Sequence, residues 1–324
     1  MLPRGRTLGK YRITAFLGSG GFGAVYRATD TWIDRDVAIK VPHRQNVNFS
    51  ELLREPRLLA ALDHPNIVSI TTAEKQEDTF FIVMEYVAGR TLEEVIAGSG
   101  GLDAACTVDY AMQIGRAMEH AHAQGVIHRD LRPANMLISD AGVLKVADFG
   151  TSRFLEIAAH GATVIGSPSY MAPEQFAGKA VFASDIYSLG ITMYQMLTGV
   201  LPYESPAPGD LDRLRRGELV RPPRLSNREV SKSLDDIVMK ALAPELSLRY
   251  QRAAELLSDL EQAAAPAPRA TPAPDRPVDP PRETARVGVH VTPRRVTPSG
   301  RFCLRCHKPL HARADRCPFC GESC

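Results

Sequence analysis

The sequence of 324 residues lacks several features that would place a protein in a class at once. It has no run of about 18 apolar residues, which excludes an ordinary transmembrane helix. The basic N-terminus, residues 1–10, carries no apolar stretch of the kind that a secretory signal needs. The net charge is only +2, so the whole chain has no strong attraction to nucleic acid or to an anionic membrane. We therefore expect a cytoplasmic protein with no membrane partner.

Cysteine is scarce until the end of the chain. Cys106 is alone before residue 303, and its helical surroundings are typical of a small core residue. The other five cysteines lie within residues 303–324. In a reducing cytosol, such a cluster favours metal binding over disulfides.

Four of these cysteines form two closely spaced pairs. Cys303 and Cys306 are followed, after ten residues, by Cys317 and Cys320, a spacing typical of a tetrahedral zinc site. The segment 301–324 resembles a zinc ribbon. It is too short to build a core, so metal must supply most of its folding energy. Further candidate ligands are Cys324, His307 and His311. The alternative is a disulfide-linked or disordered tail.

The apolar pattern divides the rest of the chain into three parts. Short β-type runs dominate up to about residue 86, including one at residues 67–72, and a helical run at residues 50–62 interrupts them. Residues 92–262 are mostly helical in pattern. Residues 263–300 contain nine prolines and no periodicity, which predicts a disordered linker. This order indicates an α+β fold.

Two polar motifs follow hydrophobic stretches in the middle of the chain. The first reads His-Arg-Asp-Leu-Arg-Pro-Ala-Asn over residues 128–135, and the second is Asp-Phe-Gly at residues 148–150. Phosphoryl transfer needs a base near the acceptor hydroxyl, oxygen ligands for Mg2+ and positive charge around the phosphates. Asp130, Asn135 and Asp148 can supply the base and the ligands.

A glycine-rich loop and a lysine precede these motifs. Residues 18–23 read G-x-G-x-x-G, and β-type residues follow, which favours a hairpin over the strand–loop–helix of a dinucleotide-binding fold. Glycines let the two strands turn tightly and bring N–H groups close to phosphate oxygens. Lys40 ends an alternating β run, so its ammonium can project toward the phosphates.

In this order the motifs resemble the signature set of a eukaryotic-like (bacterial Hanks-type) serine/threonine protein kinase, over residues 11–262. The resemblance implies a bilobal fold with a small β-rich N-lobe and a mostly helical C-lobe, followed here by the small zinc-ribbon module. It implies ATP and Mg2+ (or Mn2+) as cofactors, Zn2+ as a structural ion of the ribbon, and proteins as substrates. The catalytic residues it implies are Asp130, Lys40, Glu55, Arg132, Asn135 and Asp148. The ATP-binding residues it implies are Leu17, Gly18, Ser19, Gly20, Gly21, Phe22, Gly23, Val25, Ala38, Lys40, Met84, Glu85, Val87 and Leu137.

Two positions depart from the family pattern. Arg132 stands where serine/threonine kinases usually carry Lys, as in some tyrosine kinases, but Pro133 and the segment 166–174 favour serine and threonine as acceptors. Ser167 replaces the usual Thr, and its hydroxyl is expected to bridge Asp130 and Arg132.

The second departure is a proline directly after Glu55, the residue implied to pair with Lys40. Pro56 would kink the helix at residues 50–62 or delay its start, which would leave the Lys40–Glu55 pair easily broken. Alternatively, the helix begins near Glu55 and Pro56 occupies its first turn.

The resemblance also implies contacts that hold and control the site. Asp185 is expected to bond the backbone of the catalytic loop, and Arg249 to pair with Glu174. Arg129, next to Asp130, predicts control by a phosphorylated activation loop, with Thr163 as the preferred autophosphorylation site. The alternative is that Thr163 is an ordinary exposed hydroxyl.

The leading interpretation is an active serine/threonine protein kinase. The rival interpretation is a nucleotide-binding pseudokinase scaffold that signals through the zinc ribbon, and the ribbon is expected to dock a partner in either case. A third interpretation is a regulator that binds nucleic acid, although nucleic acid is not the expected partner.

Overall fold

The computed structural model describes residues 1–20, 23–43, 62–149 and 167–264, and the backbone of residues 301–302 and 309–310. The chain divides into two units, Met1–Ala267 and Pro268–Cys324. Several predictions fall outside the described residues: those for Gly21, Phe22, Glu55, Pro56, Thr163 and the cysteines of the ribbon. They stay predictions.

The N-terminal part of the first unit is a six-stranded antiparallel sheet, in the order β1-β2-β3-β4-β6-β5. Its strands are β1 Thr7–Leu8, β2 Tyr11–Ser19, β3 Gly23–Asp30, β4 Arg35–Pro42, β5 Ile70–Gln76 and β6 Thr79–Glu85. Alternate residues of β3 are buried, as a sheet with one covered face requires. Tyr11, Tyr26, Ile39 and Phe81 pack together on that face.

The remainder of the first unit is mostly helical. Its helices are α1 Leu92–Ser99, α2 Ala104–Ala123, α3 Phe182–Thr198, α4 Leu211–Arg215, α5 Lys232–Ala241 and α6 Ala253–Ala264. This part also contains a three-stranded sheet of β7 Gly89–Thr91, which directly precedes α1, and β8 Met136–Ser139 and β9 Leu144–Val146, which lie between α2 and α3 in the sequence. Helix α3 is buried along nearly its whole length, and polar side chains such as Asp185 and Ser188 are buried together with its apolar ones.

The predicted α+β bilobal fold is confirmed for the first unit, with one correction. The strand predicted at residues 67–72 begins later, at Ile70. Ile67 instead forms a parallel bridge with Val146 of β9, and the N–H of Val68 donates to the carbonyl of Val146 at 2.9 Å. The apolar pair at 67–68 therefore fixes the turn before β5 to the helical lobe.

The described part of the second unit is a short antiparallel pair, β10 Arg301–Phe302 and β11 Pro309–Leu310. Across all the described ranges, none of the helices combines the length and apolarity needed to cross a membrane.

Candidate active site

The loop that carries Asp130 is anchored by a buried carboxylate on helix α3. Asp185 Oδ2 accepts from the N–H of His128 at 2.8 Å, and Oδ1 accepts from the N–H of Arg129 at 2.9 Å. The ring of His122 donates to Oδ2 at 2.8 Å. Burial opposes the charge on Asp185, but these hydrogen bonds outweigh it and lower the pKa of the carboxyl. The predicted bond between Asp185 and the loop backbone is confirmed.

Asp130 lies at the centre of the loop with both carboxylate oxygens engaged. Oδ1 accepts from the N–H of Ser167 at 3.1 Å, and Oδ2 accepts from Asn135 Nδ2 at 3.1 Å. Asn135 Nδ2 also donates to the Asp130 carbonyl at 2.8 Å. Ser167 therefore reaches Asp130 through its backbone, whereas its hydroxyl was expected to make the contact. Asp130 and Asn135 are close in the sequence, and the hydrogen bond between them holds their side chains next to each other.

Arg132 lies beside Asp130, and its Nε is 3.9 Å from Asp130 Oδ2. That Nε is buried and makes no hydrogen bond within the part of the chain that the structure describes. A buried guanidinium donor without an acceptor is costly, because the group has left water without replacing its hydrogen bond. The arrangement suits an anionic ligand that would accept a hydrogen bond from Nε of Arg132.

Asp148 is brought to Lys40 across the two lobes. Lys40 Nζ lies 2.7 Å from Asp148 Oδ1, and the side chain of Lys40 is 6% exposed. Phe149 packs on the ring of His128, whose Nε2 donates to the carbonyl of Ala147 at 2.9 Å. Because a carbonyl only accepts, His128 carries its proton on Nε2, and its Nδ1 accepts the N–H of Asp130 at 3.3 Å. One imidazole thus ties Asp130 to the strand end that presents Asp148.

Several of the predicted ATP-binding residues belong to one apolar cluster between the lobes. Its buried members are Ala38, Val68 and Met84, and the half-buried side chains around them include Val25, Val87 and Leu137. The carboxylate of Glu85 accepts from Lys145 Nζ at 3.1 Å, so its side chain is engaged. A small, mostly apolar pocket extends from Met84 and Lys40 to Asp148 and Phe149. The cluster and the ionic residues therefore border one cleft.

The glycine-rich loop lies in the sequence between strands β2 and β3. Gly18 pairs with Val25 and Ser19 with Ala24 across the hairpin, and the N–H of Gly20 donates to the carbonyl of Gly23 at 3.0 Å. The side chain of Leu17 is 47% exposed. The residues on either side of positions 21 and 22 thus pair as antiparallel strands, as the β-type residues after the loop predicted.

The pairing predicted between Arg249 and Glu174 is confirmed. Arg249 Nη1 lies 2.7 Å from Glu174 Oε1, and the Arg249 side chain is fully buried. Its remaining donors reach the carbonyls of Ala183, Ala243 and Pro244. A buried pair of this kind costs about 3–5 kcal/mol when one partner is removed. It fixes the segment that follows Ser167 to the start of helix α3.

Three contacts of the site were missed by the sequence reasoning. His122 bonds Asp185, Gln175 Nε2 donates to the carbonyl of Arg129 at 3.0 Å, and His43 approaches the glycine-rich loop. Arg129 and Asp148 have φ values of 69° and 63°, a region that is costly for residues other than glycine. The position of His122 in the last turn of α2, just before the motif at 128–135, was the available signal for the first contact.

Comparison with known proteins agrees with this geometry. The family described as "protein kinase domain" matches residues 11–260. The serine/threonine-protein kinase PrkC of Bacillus subtilis is 37% identical over 270 residues, covering 81% of this chain and 42% of the relative. PknB of Mycobacterium leprae, also named a serine/threonine-protein kinase, is 36% identical over 263 residues, covering 78% and 42%. The chain thus spans about two fifths of the length of these curated relatives.

Among solved structures, the chain is similar to Rad53 1-466 in complex with AMP-PNP. The TM-score is 0.67 at 26% identity, covering 77% of this chain and 64% of Rad53. A family match over residues 11–260 is more than half of the 324 residues. The chain belongs to the protein kinase family, and its curated relatives are named serine/threonine-protein kinases.

Proposed function

We propose that this chain is an active, ATP-dependent serine/threonine protein kinase. The observation that carries the proposal is the hydrogen-bonded set of Asp130, Asn135 and His128, with Asp148 held against Lys40 in the same cleft. A pseudokinase scaffold would not require all of these groups to be present and oriented together. The scaffold interpretation is therefore not favoured.

In the proposed reaction, Asp130 orients the acceptor hydroxyl and takes its proton. The hydroxyl oxygen bonds to the γ-phosphorus of ATP while the bond from that phosphorus to the bridging oxygen breaks, and ADP leaves with the electron pair. Lys40 and Arg132 supply positive charge to the phosphates, where negative charge must be stabilised. The hydrogen bonds from Ser167 and Asn135 hold the Asp130 carboxylate in place for this role.

Asn135 and Asp148 are the residues that would hold Mg2+. Because Asn135 Nδ2 donates twice to Asp130, Oδ1 is the amide oxygen left for a cation. Amide and carboxylate oxygens are donors that Mg2+ prefers, so this set fits the ion. When bound, Mg2+ would neutralise charge on the β- and γ-phosphates.

Serine and threonine are the proposed acceptors. The segment that follows Ser167 packs tightly: Tyr170 donates to Gln195 Oε1 at 2.7 Å, and Glu174 is fixed by Arg249. The two named relatives described above carry this acceptor class in their names. Activation by autophosphorylation, with Thr163 as the preferred site, and the cytoplasmic location are proposals that rest on the sequence alone.

We also propose that residues 301–324 form a zinc ribbon that docks a partner. Its support is the spacing of Cys303, Cys306, Cys317 and Cys320, since these cysteines lie outside the described residues. The neighbouring pairing of β10 with β11 is what a short metal-held hairpin would contain.

The test of the kinase proposal is Asp130→Asn in the full chain. We expect the phosphorylation rate of a generic basic protein to fall by about a thousandfold or more, because the base is lost while the size and shape of the side chain change little. AMP-PNP affinity, measured by calorimetry with Mg2+, should stay within about twofold, since Asp130 acts on the acceptor. Equal phosphorylation by both forms would refute the assignment, and phosphotyrosine as the main product would refute the acceptor class.

A further inference from the structure

The side-chain amide of Gln175 connects two segments of the chain. Its Oε1 accepts from the N–H of Ala172 at 2.9 Å, and its Nε2 donates to the carbonyl of Arg129 at 3.0 Å. A backbone N–H only donates and a carbonyl oxygen only accepts, so each end of the amide has a fixed role. A side chain that makes both bonds must carry a donor and an acceptor together, as glutamine does.

Arg129 is held on both sides of its Cα atom. Its N–H donates to Asp185 Oδ1 at 2.9 Å, and its carbonyl accepts from Gln175. These bonds restrain the two peptide planes that flank Arg129, and with them its φ and ψ. The φ of Arg129 is 69°, a left-handed conformation that is costly for such a residue and persists only where its surroundings enforce it. The second of these planes ends at Asp130, so its orientation sets where the Asp130 side chain starts.

The other bond of Gln175 reaches residues 167–174, the acceptor segment, which also contacts Asp130. Ala172 is fully buried, and its carbonyl accepts from the backbone N–H of Gln175 at 2.9 Å. At the start of the same segment, the N–H of Ser167 donates to Asp130 Oδ1 at 3.1 Å. The acceptor segment is therefore tied to the catalytic loop at two points, once through the carboxylate of Asp130 and once through the peptide before it.

We propose that Gln175 is a positioning residue for phosphoryl transfer, which holds the peptide before Asp130 in its left-handed conformation and in line with the acceptor segment. This inference rests on the proposed kinase function. Without the donor of Gln175, the peptide plane between Arg129 and Asp130 loses this restraint and rotates as the backbone relaxes. A shift of about 1 Å at a reacting group lowers a rate by about a hundredfold. The effect falls on kcat, because neither Arg129 nor Gln175 is among the residues implied to bind ATP.

The experiment uses the full chain with three substitutions, assayed at pH 8.0. Gln175→Met removes both hydrogen bonds at a similar side-chain length. Gln175→Glu keeps an acceptor for Ala172, but its carboxylate cannot donate to Arg129, whereas Gln175→Lys keeps a donor and has no acceptor. Gln262→Met is the control, because Gln262 is exposed on helix α6 and its Nε2 donates to Ser258 of the same helix. The measurements are kcat with a generic basic protein at saturating ATP, and the Kd for AMP-PNP with Mg2+ by calorimetry.

We expect Gln175→Met and Gln175→Glu to lower kcat by about ten- to a hundredfold, because neither can donate to the Arg129 carbonyl. Gln175→Lys should keep kcat within about fivefold of the wild type, since it retains that donor. The Kd for AMP-PNP should stay within about twofold in all three variants, because the nucleotide site is untouched. Gln262→Met should resemble the wild type in both measurements.

The inference is overturned if Gln175→Met has the kcat of the wild type. It is equally overturned if Gln175→Glu stays active while Gln175→Lys does not, since the bond to Ala172 would then be the one that matters. A loss of AMP-PNP affinity in parallel with kcat would also overturn it, because general damage to the lobe has that result. Should Gln175→Met fail to fold, the comparison of Gln175→Glu with Gln175→Lys gives the decision. A wild type without phosphate transfer refutes the kinase proposal and this inference with it, whereas an active wild type with an equally active Gln175→Met refutes this inference alone.

Discussion

Arg132 is the side chain in which the site differs most from the usual serine/threonine kinase pattern. Its Nε is buried near Asp130 without a hydrogen-bond partner among the described residues, so the guanidinium has a donor to offer to a phosphate. A lysine at this position would bring the same charge as a compact ammonium with fewer fixed donors. We expect the positive charge, rather than the planar fork of donors, to be the property that the reaction needs here.

Replacement of Arg132 tests this view. We expect Arg132→Lys to keep kcat within about tenfold of the wild type, because the positive charge remains, and Arg132→Ala to lower it by about a hundredfold. The measurement is the rate of phosphate transfer at saturating ATP, compared between the wild type and both variants. A lysine variant as inactive as the alanine variant would mean that the planar fork itself is required.

Individual residues also show which features of the site could be predicted from the sequence and which could not. Asp130, Asn135 and Asp148 could be picked out because their chemistry and spacing are specific to phosphoryl transfer. The left-handed backbone of Arg129 could not, because arginine rarely adopts that conformation. In the structure, the carboxylate of Asp185 accepts hydrogen bonds from the N–H groups of His128 and Arg129. Asp185 is far from both residues in the sequence, so no local pattern indicates this contact.

At the scale of elements, the turn at residues 64–68 joins the two lobes. Asn66 Nδ2 donates to Gln113 Oε1 at 3.0 Å and to the carbonyl of Leu144 at 2.8 Å. The ring of His64 packs on His120 of helix α2, with centroids 5.3 Å apart. The apolar pattern at residues 67–72 predicted a strand correctly in kind, but these contacts to α2 and β9 moved its start. Tertiary contacts of this sort override a local pattern.

His64 should make the stability of this junction depend on pH. Burial lowers its pKa, and His120, Arg116 and Lys145 lower it further, against a weaker opposing effect of Asp63. The unfolded chain then binds the proton more readily than the folded one, so folded stability falls as pH drops below about 6.5, the ordinary histidine value. Above that pH, both states are neutral at this group and the effect vanishes.

The measurement is chemical unfolding at pH 7.5 and pH 5.5 for the wild type, His64→Asn and His120→Gln. We expect the loss of unfolding free energy on acidification to be smaller in His64→Asn than in the wild type, and intermediate in His120→Gln, because His120 is the second cause of the shift. An unchanged or larger loss in His64→Asn would show that His64 does not take part.

For the whole molecule, the described apolar core lies within the first unit. The largest cluster runs from Leu62 to Leu260 and includes Ile114, Tyr187 and Leu256. The bilobal fold could be predicted because its motifs are strung in a fixed order along residues 11–262, each tied to a local pattern. The structure of residues 301–324 could not be reached in the same way, because so short a segment has too little apolar surface to define it without metal.

Truncation after Ala267 tests which properties depend on the first unit and which depend on the second. We expect residues 1–267 to unfold within about 3 °C of the full chain, because the described apolar clusters are all retained. Phosphate transfer to a generic basic protein should also persist, since Lys40, Asp130 and Asp148 all remain. The full chain should carry one zinc ion by elemental analysis, Cys303→Ser and the truncated chain none, because four thiolates make the site. Zinc-free full-length protein would remove the ribbon proposal. A melting temperature lowered by about 10 °C or more on truncation would instead mean that the second unit stabilises the first.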